Sequence, residues 1–342
     1  MSTVELESQS LPSTKWAWHL SAFVFPVIIA VYLATGPHQG LGAAAWLLWV
    51  VLFVVMDAYA PPERGAPGTS PDALFDVQLY ALTAFQVANL VAFVVSVAHH
   101  GALTAHALVG VVLVGLNSGY SGIVVAHELC HRPERHARLL ARVLMTGVFY
   151  EHFTTEHVRG HHARVGTFED GATARHGESY WAFLVRTVPQ QFQSAWAIDR
   201  RTVLQGVAAS ALLAALIGVF AGPGALAAFT GQAAVAVMML EAVNWFEHWG
   251  LTRAGKRPST IDSWDAESVM TLYSLVGLSR HADHHAHAAR PYQKLRHFDE
   301  SPKLPLGYLS LAIITVFAEG WVRSRLDAEL RRKGLGPYRA AT

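Results

Sequence analysis

The sequence is short of two things that most soluble domains have in quantity. Only 15% of its 342 residues are charged, against roughly 25% in an ordinary globular domain, and it has a single cysteine, Cys130. One thiol excludes an intramolecular disulfide framework, a cysteine-rich zinc site and a thiolate-held iron–sulfur centre built from these residues alone. The near balance of Lys+Arg 26 against Asp+Glu 25 excludes a nucleic-acid binder that works through a basic excess. A 52% hydrophobic content excludes a disordered chain.

What the chain has instead is long apolar runs and 19 histidines. About 20 consecutive apolar residues suffice to cross the hydrocarbon core as a helix. Six stretches qualify, approximately 16–34, 41–56, 77–98, 104–126, 203–220 and 225–245. They fall into pairs joined by TGPHQG (35–40), HHGAL (99–103) and AGPG (221–224), whose Gly and Pro mark tight turns. The fold class expected is an all-α integral membrane protein, six transmembrane helices in three hairpins under a His-rich cap.

None of the 26 Lys and Arg lies within the hairpins. Lys15 and Arg64 flank them, ten more fall in 127–202 and fourteen in 246–342. Cytoplasmic loops carry the basic excess, so these segments, both termini and the cap are expected inside, with the three links on the other face. Glu5 and Glu7 make the N-terminus unlike the basic start of a cleavable leader. Residues 61–72 read as a polar linker, 139–150 as an apolar segment too short to cross, and 305–322 as a run that lies on the membrane or packs under the cap.

Fourteen histidines lie from His127 onward, and nine form clusters: His127/His131, His157/His161/His162, His248, and His281/His284/His285. Residues three and four apart on a helix share a face, so His127 and His131 can hold one ion, as can His281 with His284 or His285. Adjacent His161 and His162 diverge by about 100° and suit two neighbouring ions. Nine imidazoles exceed the usual four ligands of one zinc, so two metals are expected. Glu128, Glu156, Glu247 and Asp283 stand beside the clusters, as direct ligands or as acceptors for the imidazoles' other N–H. His19, His38, His99, His100, His106 and His297 read as packed or solvated residues, and His136, His152, His176 and His287 as neighbours of the clusters, with His152 foremost. His127-Glu-Leu-Cys-His131 also matches the H-E-x-x-H zinc-protease motif, but one zinc leaves three further clusters without a purpose. A metal transporter would need ionisable groups near mid-membrane, where these spans carry almost none.

The boxes HELCHR (127–132), EHVRGHHARVGTFED (156–170), NWFEHWGL (244–251) and SRHADHHAHAARPYQKL (279–295), with GESYWAFLVRTVPQQFQSAW (177–196), resemble the membrane-bound alkane hydroxylase (alkane 1-monooxygenase) family of the histidine-box desaturases and hydroxylases. The likeness covers most of 120–310. It implies two non-haem iron ions held by the nine histidines, a bacterial inner membrane, and terminal hydroxylation of medium-chain alkanes with O2. It also implies electrons from rubredoxin and its NADH-dependent reductase; with one cysteine, that rubredoxin is expected to be a separate protein. The same metal chemistry leaves a fatty-acyl desaturase or hydroxylase as the alternative. The alkane would enter from the bilayer through a tunnel ending under His127 and His248. Trp46 and Trp49 share a face of the second span, and Trp49 is expected to stop the chain. Arg290, Lys294 and Arg296 form a basic patch that could receive an acidic donor.

Overall fold

The computed structural model describes residues 13–253 and 255–339, and the acidic N-terminal stretch with Glu5 and Glu7 lies outside the described residues. Among the described residues there are helices and no strands, only two isolated bridges. Six helices are long and apolar enough to cross a membrane. They are α1 (Val24–Thr35, entered through the 3-10 segment Ser13–Phe23), α2 (Gly40–Ala58), α3 (Asp72–His100), α4 (Ala105–Cys130), α7 (Tyr180–Phe220) and α8 (Gly222–His248). Between α4 and α7 lie α5 (Arg135–Thr146) and α6, which begins as Phe153–Glu156 and continues through His157–His161 into His162–Arg164. After α8 come α9 (Val269–Ser274), α10 (His281–Ala286) and α11 (Tyr308–Lys333).

The short links meet at one end of the bundle. The His38 and His106 rings lie 5.3 Å apart, and Ala102 abuts Gly224. The histidine clusters occupy the other end. Lipid-facing apolar residues such as Leu48, Val51, Val91, Leu212 and Val219 are exposed on the outside of the spans, as a bilayer solvent requires. Inside, where lipid provides no hydrogen bonds, polar side chains bond one another. Asn117 donates to Gln86 (2.6 Å), Gln86 to Ser118 (2.8 Å), Ser118 to Gln232 (2.7 Å), and Gln232 to the Gly147 carbonyl (3.0 Å). This chain ties α3, α4 and α8 together. At Gly115 a Cβ would meet the Gln232 carbonyl at 2.8 Å, so only glycine permits the close approach of α4 to α8.

The fifth span is longer than the sequence pattern suggests. α7 starts at Tyr180, contains Pro189, and kinks at Asp199 (φ −153°, ψ 80°), whose carboxylate caps the Thr202 N–H at 3.1 Å. The expected 203–220 span is therefore the apolar half of a 41-residue helix, and the polar half covers the histidine end. Residues 139–150 supply the end of amphipathic α5 and the turn after it, and 305–322 supply the start of α11. Buried Asp57 at the foot of α2 accepts from Ser268 (2.6 Å), Thr271 (2.6 Å) and Ser310 (3.0 Å), fastening the second span to the cap segments.

Candidate metal centre

All nine clustered histidines come together, from four elements distant in sequence. Their ring nitrogens form two groups, His127, His131, His157, His162 and His284 in one, and His161, His248, His281 and His285 in the other. Within each group one nitrogen per ring lies within 4.8 Å of all the others. Nε2 to Nε2 separations are 3.1 Å for His157–His162, 3.1 Å for His162–His284, 3.2 Å for His161–His285, 3.2 Å for His248–His281 and 2.9 Å for His281–His285.

Local helix geometry decides which ring joins which group. His127 and His131 share a face of α4 four residues apart, as expected. In α6 the turn His157–His161 is a π-type turn, in which residues five apart align. His157 accordingly pairs with His162, and His161 turns to the other group. The i, i+4 spacing of a regular helix would instead put His157 with His161. The divergence of His161 from His162 does follow the expectation. On α10, His281 and His285 share one group and His284 the other. A second π-type segment, Ser118–Ile123, lies one turn before His127.

The donor set fits two metal ions. A metal–nitrogen bond of about 2.1 Å places neighbouring ligand nitrogens roughly 3.0–3.4 Å apart, which is the spacing seen. His127 Nε2 and His131 Nε2 are buried with no hydrogen-bond partner, a costly arrangement unless an ion takes the lone pairs. Burial, with the charge that neighbouring imidazoles would add, holds His157, His162, His281, His284 and His285 well below the ordinary histidine range. Burial likewise takes His131 down to about 4. All are thereby kept in the neutral form that coordinates metal. His161 differs. Burial pulls it down, but the Asp170 carboxylate, 2.8 Å from Nδ1, together with the charges of Glu156 and Glu241, outweighs burial and raises it. Asp170 is buried and also accepts from Thr173 at 2.6 Å. It fixes the His161 ring with Nε2 toward the centre. Cys130, the lone thiol, donates to the His127 carbonyl at 3.0 Å.

Of the four carboxylates singled out from sequence, Glu247 alone stands beside a clustered ring, its Oε1 3.3 Å from His281 Nδ1. Glu128 pairs with Arg132 (2.9 Å), and Glu156 with Arg164 (3.2 Å) and Ser194 (3.1 Å). Asp283 is held by Arg290 (2.5 Å), Arg296 (3.3 Å) and His287 (2.9 Å). These three serve the scaffold because each has an arginine within reach. Asp170 was missed: nine residues beyond His161 and across a loop, it obeys no helical spacing. Buried Glu241 was also missed as an ionisable group within a span. It accepts from Tyr150 (3.0 Å), Gln191 (2.9 Å) and Asn244 (3.0 Å).

The remaining histidines stay outside both groups. His152 is buried against Tyr150 and Phe192, and burial lowers it to about 4. His136 meets the Tyr80 hydroxyl, His176 meets Asp327, and His297 meets Glu267. The basic patch is largely spoken for, since Arg290 and Arg296 bind Asp283 and Lys294 binds Asp72 at 2.6 Å.

Below the imidazoles, among the spans, lies an apolar cavity of about 110 Å³. His127, His157 and His281 form its upper wall, and Asn244, Glu247, Tyr120 and Tyr308 also line it; Phe25, Phe53, Val124, Met239 and Leu309 are among its apolar walls. His248 does not reach it, contrary to expectation. Trp49 is not part of the wall either. It faces outward, 42% exposed, and Trp46 packs on Tyr32 and His38. The second span presents Val50, Phe53 and Val54 to the cavity instead, because a helix that turns these inward carries Trp49 outward.

Six helices able to cross a membrane and nine histidines whose ring nitrogens converge in two groups over an apolar cavity are the make-up of a histidine-box membrane protein. Residues 102–312 match the family model of the fatty acid desaturases. The chain is 37% identical to alkane 1-monooxygenase 1 of Pseudomonas aeruginosa over 238 residues, 64% of this chain and 62% of that protein. It is 32% identical to alkane 1-monooxygenase 1 of Alcanivorax borkumensis over 334 residues, 88% of this chain and 80% of that one. A more distant similarity, 25% over 206 residues and 55% of each chain, is to the hydroxylase component of the xylene/toluene monooxygenase of Pseudomonas putida. The match thus spans less than two thirds of the Pseudomonas aeruginosa protein and four fifths of the Alcanivorax one. The chain belongs to the alkane hydroxylase family, within the fatty acid desaturase and hydroxylase superfamily.

Proposed function

We propose that this protein is a non-haem di-iron monooxygenase that hydroxylates the terminal methyl of medium-chain alkanes. Two electrons reach it from a rubredoxin, which its NADH-dependent reductase recharges. The balance is R–CH3 + O2 + 2e⁻ + 2H⁺ → R–CH2OH + H2O. The single observation that carries this reading is that the cavity beneath the imidazole groups is lined mostly by apolar side chains and has His127, His157 and His281 in its wall. Iron held by the nine histidines would supply oxygen activation and the strength to break an unactivated C–H bond.

The chain's own residues do the rest. The two histidine groups would hold the metals, and Asp170 holds the His161 ring in its tautomer and angle. Phe25, Val50, Phe53 and Met239 receive a substrate with no polar handle and exclude water. An alkane partitions into the bilayer, so a cavity among the spans receives it end-on, methyl toward His127, His157 and His281. The Lys and Arg distribution supports a histidine end, and with it an electron donor, on the cytoplasmic face of the inner membrane.

The desaturase name of the matched family model favours a second reading, a fatty-acyl desaturase or hydroxylase. Incubation of the purified, iron-loaded protein with rubredoxin, its reductase, NADH and either octane, hexadecane or a fatty-acyl substrate separates the two. 1-Alkanols from the alkanes support the proposal. An alkene or hydroxyacyl product, with the alkanes untouched, overturns it in favour of the alternative.

A further inference from the structure

A second, unrelated cavity lies between the start of the first span, the 65–68 loop and the segment just before α10. It has a volume of about 30 Å³, room for one water-sized guest, and its wall includes Lys15, His19, Tyr273, Arg280, Tyr292 and Gln293. Arg280 is only 6% exposed, yet it has no ion pair among the described residues. Its Nη1 and Nη2 donate to the carbonyls of Leu295 (2.5 Å) and Gly65 (2.8 Å), and its Nε is buried without a partner. His19, 7% exposed and boxed by the rings of Phe75, Tyr273 and Tyr292, has Nδ1 unpartnered as well.

The charges around Arg280 do not cancel. The carboxylates close enough to act on it are Glu63, Asp265 and Asp283. Each already has its own cation: Lys15 for Glu63 (3.2 Å), Lys303 for Asp265 (3.4 Å), and Arg290 with Arg296 for Asp283 (2.5 and 3.3 Å). Arg280 is the surplus charge, and an uncompensated buried guanidinium is strongly unfavourable.

We propose that this cavity is an anion site, in which a small singly charged group, a free halide or one phosphate oxygen of a headgroup with net negative charge, unlike zwitterionic phosphatidylcholine, binds Arg280 Nε with Lys15 and His19 beside it. The unpartnered Gln293 carbonyl oxygen would accept from a water of hydration. Exposed Ala66 stands at the mouth of the cavity. Arg280 bridges the 65–68 loop to Leu295 and immediately precedes His281, so the anion would lock in place the segment that bears His281, His284 and His285. This inference holds whatever the enzyme's substrate.

The test is thermal unfolding of the full-length protein in phosphatidylcholine nanodiscs, with chloride replacing gluconate at constant ionic strength. A parallel series in gluconate replaces phosphatidylcholine by phosphatidylglycerol. A saturable upward shift of a few degrees with chloride identifies a free anion; a shift confined to phosphatidylglycerol identifies a headgroup. In either case Arg280→Gln should remove the response, and Lys15→Gln should weaken it. Should Arg280→Gln fail to fold, Ala66→Trp, which blocks the mouth and leaves the arginine in place, should remove the response instead. A flat melting temperature in both series, or a response that persists in Arg280→Gln or Ala66→Trp, overturns the proposal.

Discussion

Histidines stand at both ends of this bundle, and the two ends use them in opposite ways. At the link end, His38 Nε2 bonds the Tyr32 carbonyl (3.1 Å), His99 Nδ1 the Val95 carbonyl (2.8 Å) and His106 Nε2 the Ser96 hydroxyl (3.1 Å). Each of these three nitrogens bonds a group that is not a histidine. At the other end nine rings turn their nitrogens toward one another, and two of those nitrogens find no partner at all. Abundance of imidazole therefore does not define a metal site. Convergence of lone pairs does, and convergence comes from helix register and, at His161, from the Asp170 carboxylate that orients the ring from behind.

The largest expected effect tests that contrast directly. His161→Ala or His284→Ala should cost at least about 100-fold in activity and most of the iron while the protein still inserts, whereas His38→Ala or His106→Ala should keep both. Metal analysis and turnover of the purified variants check it; iron loss in His106→Ala would break the comparison. Next in size, Asp170→Asn keeps the shape but removes the charge behind His161, and should lower activity or iron affinity roughly 10–100-fold. Wild-type iron affinity in that variant would show that His161 needs no support.

A third effect is on stability. His131 and His152 are buried neutral with values of about 4, against 6.5 when unfolded. Below pH 6.5 the unfolded chain binds more protons than the folded one, so stability rises with pH there. Their contribution is complete above pH 6.5 and is lost progressively as pH falls from 6.5 toward 4. Melting temperatures of the metal-free protein across that range should fall on acidification, and His152→Gln should flatten part of the slope. The fourth effect concerns the cavity. Val50→Trp should depress turnover of the longest accepted alkane by roughly tenfold and spare shorter ones. The smallest is Trp49→Ser, on the outer face, which should leave the chain-length profile unchanged; a shift toward longer substrates would return Trp49 to the cavity wall.

Much of this was legible in the residues. Uninterrupted apolar runs free of Lys and Arg are a direct consequence of the bilayer as solvent, so six spans could be read without a structure, and i, i+4 spacing sufficed for His127 with His131 but left His281 open between His284 and His285. What could not be read depends on departures from regularity. The π-type turn that re-sorts His157, His161 and His162 leaves no mark in the spacing, because the same residues in a regular helix would pair differently. Asp170 reaches His161 through a loop. Glu128, Glu156 and Asp283 looked like partners for imidazole until Arg132, Arg164, Arg290 and Arg296 were seen to reach them first. At Trp49 the difference is a single position, since the neighbouring Val50 takes the cavity side.

The claim that the nine histidines form two ion sites side by side is tested most directly by the iron content of the purified protein, with Mössbauer spectra of the same sample. The account predicts two iron ions per chain, in two histidine environments that are magnetically coupled. A single iron per chain at full activity, or two ions that show no coupling, would contradict it.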